Sequence, residues 1–371
     1  MIRIDEIYNN TFWPYISQNF PSTRIFFCDP PGRTDPESLF NFGDKVTELN
    51  YIFFHDQEPI HLDTHKPLFD AVVRRILDLN HHYGPEQQAI ITSEYDSDTV
   101  QQVCSQYNWR HYYYFFHGWA SLDWYRGYDR TFLMTPPDQR NITHTFIAPN
   151  RIIAGQRKHR LLVLYHIFKN DLLKNNWVSC PEICPGENIP VYNAVLPLSK
   201  VYKDIYDVFR VQSFPKDFPK ETGHPMHSCW LSLFDECATS LLYLVTETVA
   251  TGRRQHLTEK TFKPICLRMP FVLVGTQGSL RYLRSYGFKT FGNIWDESYD
   301  EEPDDVRRIE KISDLLVHLD SKTLEGKNAL FQQAQDVVEH NYNHFYSGAF
   351  EDVLWIELKA MLEQIKQDFA N

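Results

Sequence analysis

Apolar positions along the chain fall into short runs, and segments of helical periodicity lie between them. Arg24–Cys28 (RIFFC), Tyr51–Phe54 (YIFF), Ala89–Thr92 (AIIT) and His111–Phe116 (HYYYFF) each read as a strand. Between the second and third lies Pro67–Asn80, with apolar residues at helical spacing. Thr99–Tyr107 lies between the third and fourth. Strand, helix, strand, helix, strand predicts a doubly wound α/β domain over residues 1–140. The polar, proline-bearing run Met134–Asn141 (MTPPDQRN) is the predicted hinge.

A second α/β domain is predicted over residues 141–345. Thr145–Asn150 (TFIAPN) reads as a strand and Gly155–Asn170 as a helix whose first turn is basic. Basic residues there oppose the helix macrodipole, so an anion bound at that end is expected. Trp177–Asp235 is rich in proline and yields only a helix near Lys200–Val208. Ser240–Val245 is a buried strand leading to Glu247, and Gly252, Arg253 and Arg254 follow in a loop. Thr258-Glu259-Lys260 then opens a helix, and Phe271–Val274 is a strand that stops at Gly275. This is a βαβ unit with parallel strands. Beyond it the pattern predicts a helix at Ser279–Tyr286, a strand at Phe288–Phe291, and helices at Val306–Leu319 and Leu324–His340. A last amphipathic helix, Phe350–Phe369, lies within residues 346–371 and is expected to pack back on the first domain.

Composition narrows the class without changing this outline. The 371 residues are 43% hydrophobic and 23% charged, ordinary for a globular protein of two domains. Net charge is -11, which argues against general nucleic-acid affinity unless a local basic stripe exists; Arg126, Arg130 and Arg140 are the candidates. The seven cysteines are scattered, with no Cys-x-x-Cys pair, and read as reduced thiols. No apolar run approaches the roughly 18 residues of a membrane span, and the N-terminus has no signal-peptide pattern. A cytoplasmic location is expected.

In parallel sheets ligands bind beyond the carboxyl ends of the strands. Glu247, Glu259 and Lys260 would share such a rim, where a helix N-terminus and a lysine suit an anion. The plainer reading of Thr258-Glu259-Lys260 is a capped helix start. His55-Asp56-Gln57-Glu58-Pro59 follows a strand of the first domain, where Asp56 or Glu58 would deprotonate a hydroxyl. Its plainer reading is a polar turn. His117 and Trp119 are candidates for an acceptor cleft, with a packed core aromatic as the alternative. Asp96-Ser97-Asp98 has the form of a metal clamp but reads better as a helix cap, and His61 and His65 read as an exposed histidine pair. No metal or cofactor is expected. Arg281, Arg284 and Lys289 read as a solvated face.

Glu247, His256-Leu257-Thr258-Glu259-Lys260 and the strand Pro270–Gly275 together resemble the donor-site block of family 10 fucosyltransferases. The resemblance covers about Thr145–Arg160 and Ser240–Phe291. It implies an inverting, metal-independent glycosyltransferase of GT-B type, with two Rossmann-like domains facing a central cleft. Glu259 and Lys260 would then bind the ribose and pyrophosphate of a nucleotide sugar. Arg160, following Ala148-Pro149-Asn150, would hold the pyrophosphate, with Arg151 and Arg157 competing for that role. Asn150, Glu247, Arg253, Arg254, His256 and Thr258 complete the implied donor site, and Asp56 and Glu58 match the family's base region. TEKTFKP (258–264) and FKTF…WDESYD (288–300) are similar to uncharacterised phage and viral glycosyltransferase-like proteins. Two departures stand out: His256 replaces the family's tyrosine, and Val245-Thr246 replaces its Cys-Phe. The implied partners are a nucleotide sugar and a glycan acceptor. A hydroxymethylated DNA base is an alternative acceptor, and a non-catalytic nucleotide-binding protein on the same scaffold is the rival reading.

Overall fold

The computed structural model describes residues 3–20, 23–27, 50–79, 87–130, 134–185, 187–218 and 230–370. Cys28 and Cys229 lie outside them, as does Asn80. The chain is an α/β protein with parallel sheets, and its contacts separate into two compact units. One comprises Met1–Asp123, Arg253–His256 and Glu351–Asn371; the other comprises Trp124–Gly252 and Leu257–Phe350. The chain first leaves unit 1 at Asp123, upstream of the 134–141 run.

Unit 1 is built on four parallel strands in the order β1 (Thr23–Phe27), β2 (Asn50–His55), β3 (Gln87–Thr92) and β4 (Arg110–Tyr113). Helices Leu62–Leu79 and Asp98–Tyr107 make the second and third connections. Alternate residues of a strand point to opposite faces. Accordingly Phe53 stacks on Trp109 at 4.3 Å in a core with Phe69, Val72 and Ile90. Its neighbour Phe54 meets Phe12 and Trp13, at 5.2 and 5.5 Å. That second face is covered by an N-terminal helical run that the sequence pattern did not mark: Ile4–Ile7, a π-helical Tyr8–Phe12, and Trp13–Asn19. The predicted strand 111–116 stops at Tyr113, and helix Phe116–Trp124 opens instead.

The last helix, Ala349–Ala370, contributes residues 351–370 to unit 1. Trp355 packs on Trp119 at 4.8 Å, and Asp368 accepts the Tyr112 hydroxyl at 2.8 Å.

Unit 2 holds β5 (His144–Ala148), β6 (Trp177–Val178), the antiparallel pair β7 (Ile183–Cys184) and β8 (Ile189–Pro190), β9 (Ser240–Thr246) and β10 (Phe271–Val274). Its main sheet is parallel, in the order β10-β9-β5-β6, and every residue of β9 is buried. Helix Asp305–Asp320 packs on helix His159–Lys169 and on β5 and β10; helix Glu259–Cys266 packs on β9 and on helix Gln335–Tyr346. Buried Arg308 ties the rim together, donating to Gly275 O at 3.0 Å, Ala250 O at 2.9 Å and Glu302 O at 2.7 Å. Among the described residues, no helix is long and apolar enough to cross a membrane.

Two expected elements are corrected. Phe288–Phe291 is not a strand. The Asn341 side chain donates to Lys289 O at 2.9 Å and accepts from Lys289 N at 2.7 Å, doing the work of a neighbouring strand while both phenylalanines enter the core. The predicted helix 324–340 is two helices, Leu324–Gln333 and Gln335–Tyr346.

Candidate functional site

Adjacent parallel strands β5 and β9 bring their carboxyl ends together, and the following loops enclose a cavity of about 100 Å³. Its wall includes Pro149, Asn150 and Arg151 after β5, Thr246 at the end of β9, Arg160, and Lys260 and Lys263 from the helix Glu259–Cys266. Four cations therefore line one small space, which has the size of a phosphate group rather than of a nucleotide.

The local geometry is set by Glu247, which is fully buried just beyond β9. Its carboxylate accepts from Thr258 N (3.0 Å), Thr258 Oγ1 (2.6 Å), Thr248 N (3.1 Å) and Thr261 Oγ1 (2.5 Å). Glu247 thus clamps the start of the Glu259 helix to the strand, and these four donors fill its two oxygens. It positions the site; the resemblance had assigned it to the ligand. Thr258 is the N-cap, its hydroxyl accepting from Lys260 N at 3.4 Å. Asn150 is likewise a bridge: its Nδ2 donates to Ala148 O at 3.1 Å, and its Oδ1 accepts from Thr246 Oγ1 at 3.0 Å.

The Lys260 ammonium lies 2.7 Å from Glu259 and 3.3 Å from both the Thr248 and Thr258 hydroxyls. Glu259 is itself buried, so the pair expected to grip a ligand is joined to itself here. Arg160, also buried, spends its guanidinium on backbone: Nη1 to Ile152 O at 2.8 Å, Nη2 to Thr246 O at 2.9 Å and Glu247 O at 3.2 Å. Its Nε has no acceptor among the described residues. Burial, and next the charge of Arg157, bring the Arg160 pKa down to about 10. Arg157 is near enough for that effect but does not line the cavity, whereas Arg151 does. His159 lies 3.0 Å from Glu247 O through Nε2, and burial followed by the Arg160 charge lowers its pKa to about 3. Lys263 went unmarked in the sequence, although it stands one turn beyond Lys260 at i+3.

The other expected site residues belong to unit 1. Asp56 is fully buried and accepts the Tyr8 hydroxyl, so it does not present a carboxylate to solvent; Glu58, two residues on, is half-buried. The His117 ring lies 2.6 Å from Gln57 O. Trp119 is 1% exposed beneath Trp355, a core residue and not a stacking platform.

Arg253, Arg254 and His256, expected within the second domain, belong to unit 1. Gln255 pairs with Tyr95 through two backbone hydrogen bonds of 2.9 and 2.7 Å, and that ladder fixes the segment. Arg253 pairs with Asp96 at 3.0 Å, Arg254 with buried Glu94 at 3.4 Å, and His256 Nδ1 lies 3.2 Å from Ser93 O. Asp96 is thereby committed to an arginine, and Ser97, not Asp98, caps its helix.

His65 is buried against His55 at 3.3 Å, so the histidine pair is not an exposed one. Among the described residues no cluster of three metal-ligating side chains occurs. Arg140 is withdrawn from any basic stripe, since it is buried on the carbonyls of Thr135, Leu267 and Arg268. Comparison of the chain with protein-family models, curated proteins and solved structures returned no match.

Proposed function

We propose that the chain is a nucleotide-sugar-dependent glycosyltransferase of GT-B type, with unit 2 holding the diphosphate of the donor. The observation that carries this reading is the convergence of Arg151, Arg160, Lys260 and Lys263 on one cavity at the carboxyl ends of β5 and β9. Arg160 would act by holding the rim carbonyls in place, and Lys260, Lys263 and Arg151 would meet the phosphates. Glu58 serves better than Asp56 as the base, because Asp56 is enclosed. In the reaction, Glu58 takes the proton of an acceptor hydroxyl and that oxygen attacks the anomeric carbon. The bond from that carbon to the diphosphate breaks, and its electron pair leaves with the diphosphate. The lysines stabilise the charge that develops there, so no metal is needed for this step.

A glycan hydroxyl is the proposed acceptor; with Arg140 buried, a modified DNA base is disfavoured. The enclosure of Asp56 gives the rival reading one support, since a nucleotide-binding protein without turnover needs no base. Donor hydrolysis over a panel of UDP-, GDP- and CMP-sugars tests the proposal. Release of sugar from one donor, reduced about tenfold or more in Glu58→Gln, supports transfer. Nucleotide binding with no hydrolysis of any donor supports the rival.

A further inference from the structure

A second cavity in unit 2, of about 690 Å³, shares no lining residue with the cationic site. One wall is the later half of helix Asp305–Asp320; the others come from residues 294–299 and from Lys322 and Leu330. That helix begins at the carboxyl rim, where Arg308 holds Gly275 O. It ends at the start of β5, where Asp320 accepts the Thr145 hydroxyl at 2.5 Å. The wall that this helix gives the cavity is therefore its half away from the carboxyl rim.

Its lining has an apolar part and an unbalanced polar part. Ile294, Trp295, Leu315, Leu319 and Leu330 supply carbon surface. Trp295 is buried and stacked on Phe291 at 5.0 Å, so its ring is fixed, yet its indole N–H finds no acceptor among the described residues. A buried donor left unsatisfied keeps its full desolvation cost, which an acceptor from outside the chain would offset. Of the ionisable lining groups, Lys311 is held by Glu302 at 2.7 Å. Asp296 accepts from Ser298 N at 2.9 Å and Ser298 Oγ at 2.8 Å. His318, Lys322 and Asp314 make no side-chain hydrogen bond among the described residues, and with the Trp295 indole they set three donor-bearing groups against one carboxylate. Cations at a helix C-terminus suit the macrodipole in any protein, but that accounts for neither the cavity nor the orphaned indole.

We propose that this cavity binds a small organic anion with a planar apolar body, such as an aromatic carboxylate or sulfonate. The body would lie on Trp295, Leu315 and Leu319, and the anionic head at Lys322 and His318. The volume falls in the range of roughly 300–1,000 Å³ usual for small-molecule sites. The site is independent of the donor reading.

Fluorine NMR of fluorotryptophan-labelled protein, titrated with anilinonaphthalene sulfonate, tests it, with the Trp295 resonance assigned by Trp295→Phe. The Trp295 resonance should shift saturably. Lys322→Glu and His318→Glu should each weaken the binding about tenfold, and Lys260→Ala should leave it unchanged. The remaining tryptophan resonances report whether each variant is folded. A Trp295 resonance that stays in place while the probe saturates other sites, or an equal shift in folded Lys322→Glu, overturns the proposal.

Discussion

At Lys260 two demands compete. The ammonium is paired with Glu259 at 2.7 Å, and an arriving phosphate must share it with that carboxylate. Glu259→Gln removes the competing charge. If Glu259 also holds the ribose, the variant should bind inorganic pyrophosphate several-fold more tightly and a nucleoside diphosphate more weakly, read by competition titration. His159 ties the stability of the fold to pH. Burial holds His159 neutral, at about 3 against an ordinary value of 6.5. The unfolded chain binds this proton first, so the contribution is complete above pH ~6.5 and is lost as pH falls toward 3. Urea unfolding between pH 6.5 and 4 should show a slope shallower by up to one proton in His159→Gln. The residue scale is also where the sequence was least legible. Glu247 and Arg160 were marked as charges near a ligand, but their partners are backbone groups and hydroxyls contributed by several loops. Lys263, by contrast, was recoverable from helical spacing alone.

Elements were more legible than side chains where apolar runs were dense. The four strands of the first sheet, β5, β9 and β10 of the second, and the helix Glu259–Cys266 follow from short apolar runs, a threonine cap and the punctuation around them, whereas the two-residue β6 is too short to leave such a signal. Two failures share a cause: the deciding partner is distant in sequence. Phe288–Phe291 looks like a strand by composition, but its backbone is paired by the Asn341 amide. Asn341→Ala would orphan two backbone groups of Lys289 and should destabilise the fold by about 1–3 kcal/mol in chemical denaturation. No change would mean that the amide pairing is incidental. Arg253–His256 escaped for the same reason, since nothing local announces its ladder with Tyr95. The N-terminal helical run departs from the 3.6-residue period because Tyr8–Phe12 is π-helical.

For the whole molecule, the sequence anticipated an α/β protein with parallel sheets, and helix Ala349–Ala370 contributes to the unit that contains the N-terminus. Net charge of -11 and the burial of Arg140 predict that duplex DNA shows no saturable, steeply salt-dependent binding near physiological ionic strength. Such binding, read by fluorescence anisotropy, would restore the DNA acceptor. Donor binding as proposed depends on the cationic cavity of unit 2. Calorimetric titration of the folded protein with UDP and GDP, in wild type and Lys260→Ala, tests it most directly. One nucleoside diphosphate should bind at a single site, more weakly at high salt and about tenfold or more weaker in Lys260→Ala. Equal affinity in the folded variant, or no saturable binding of either nucleotide, would contradict it.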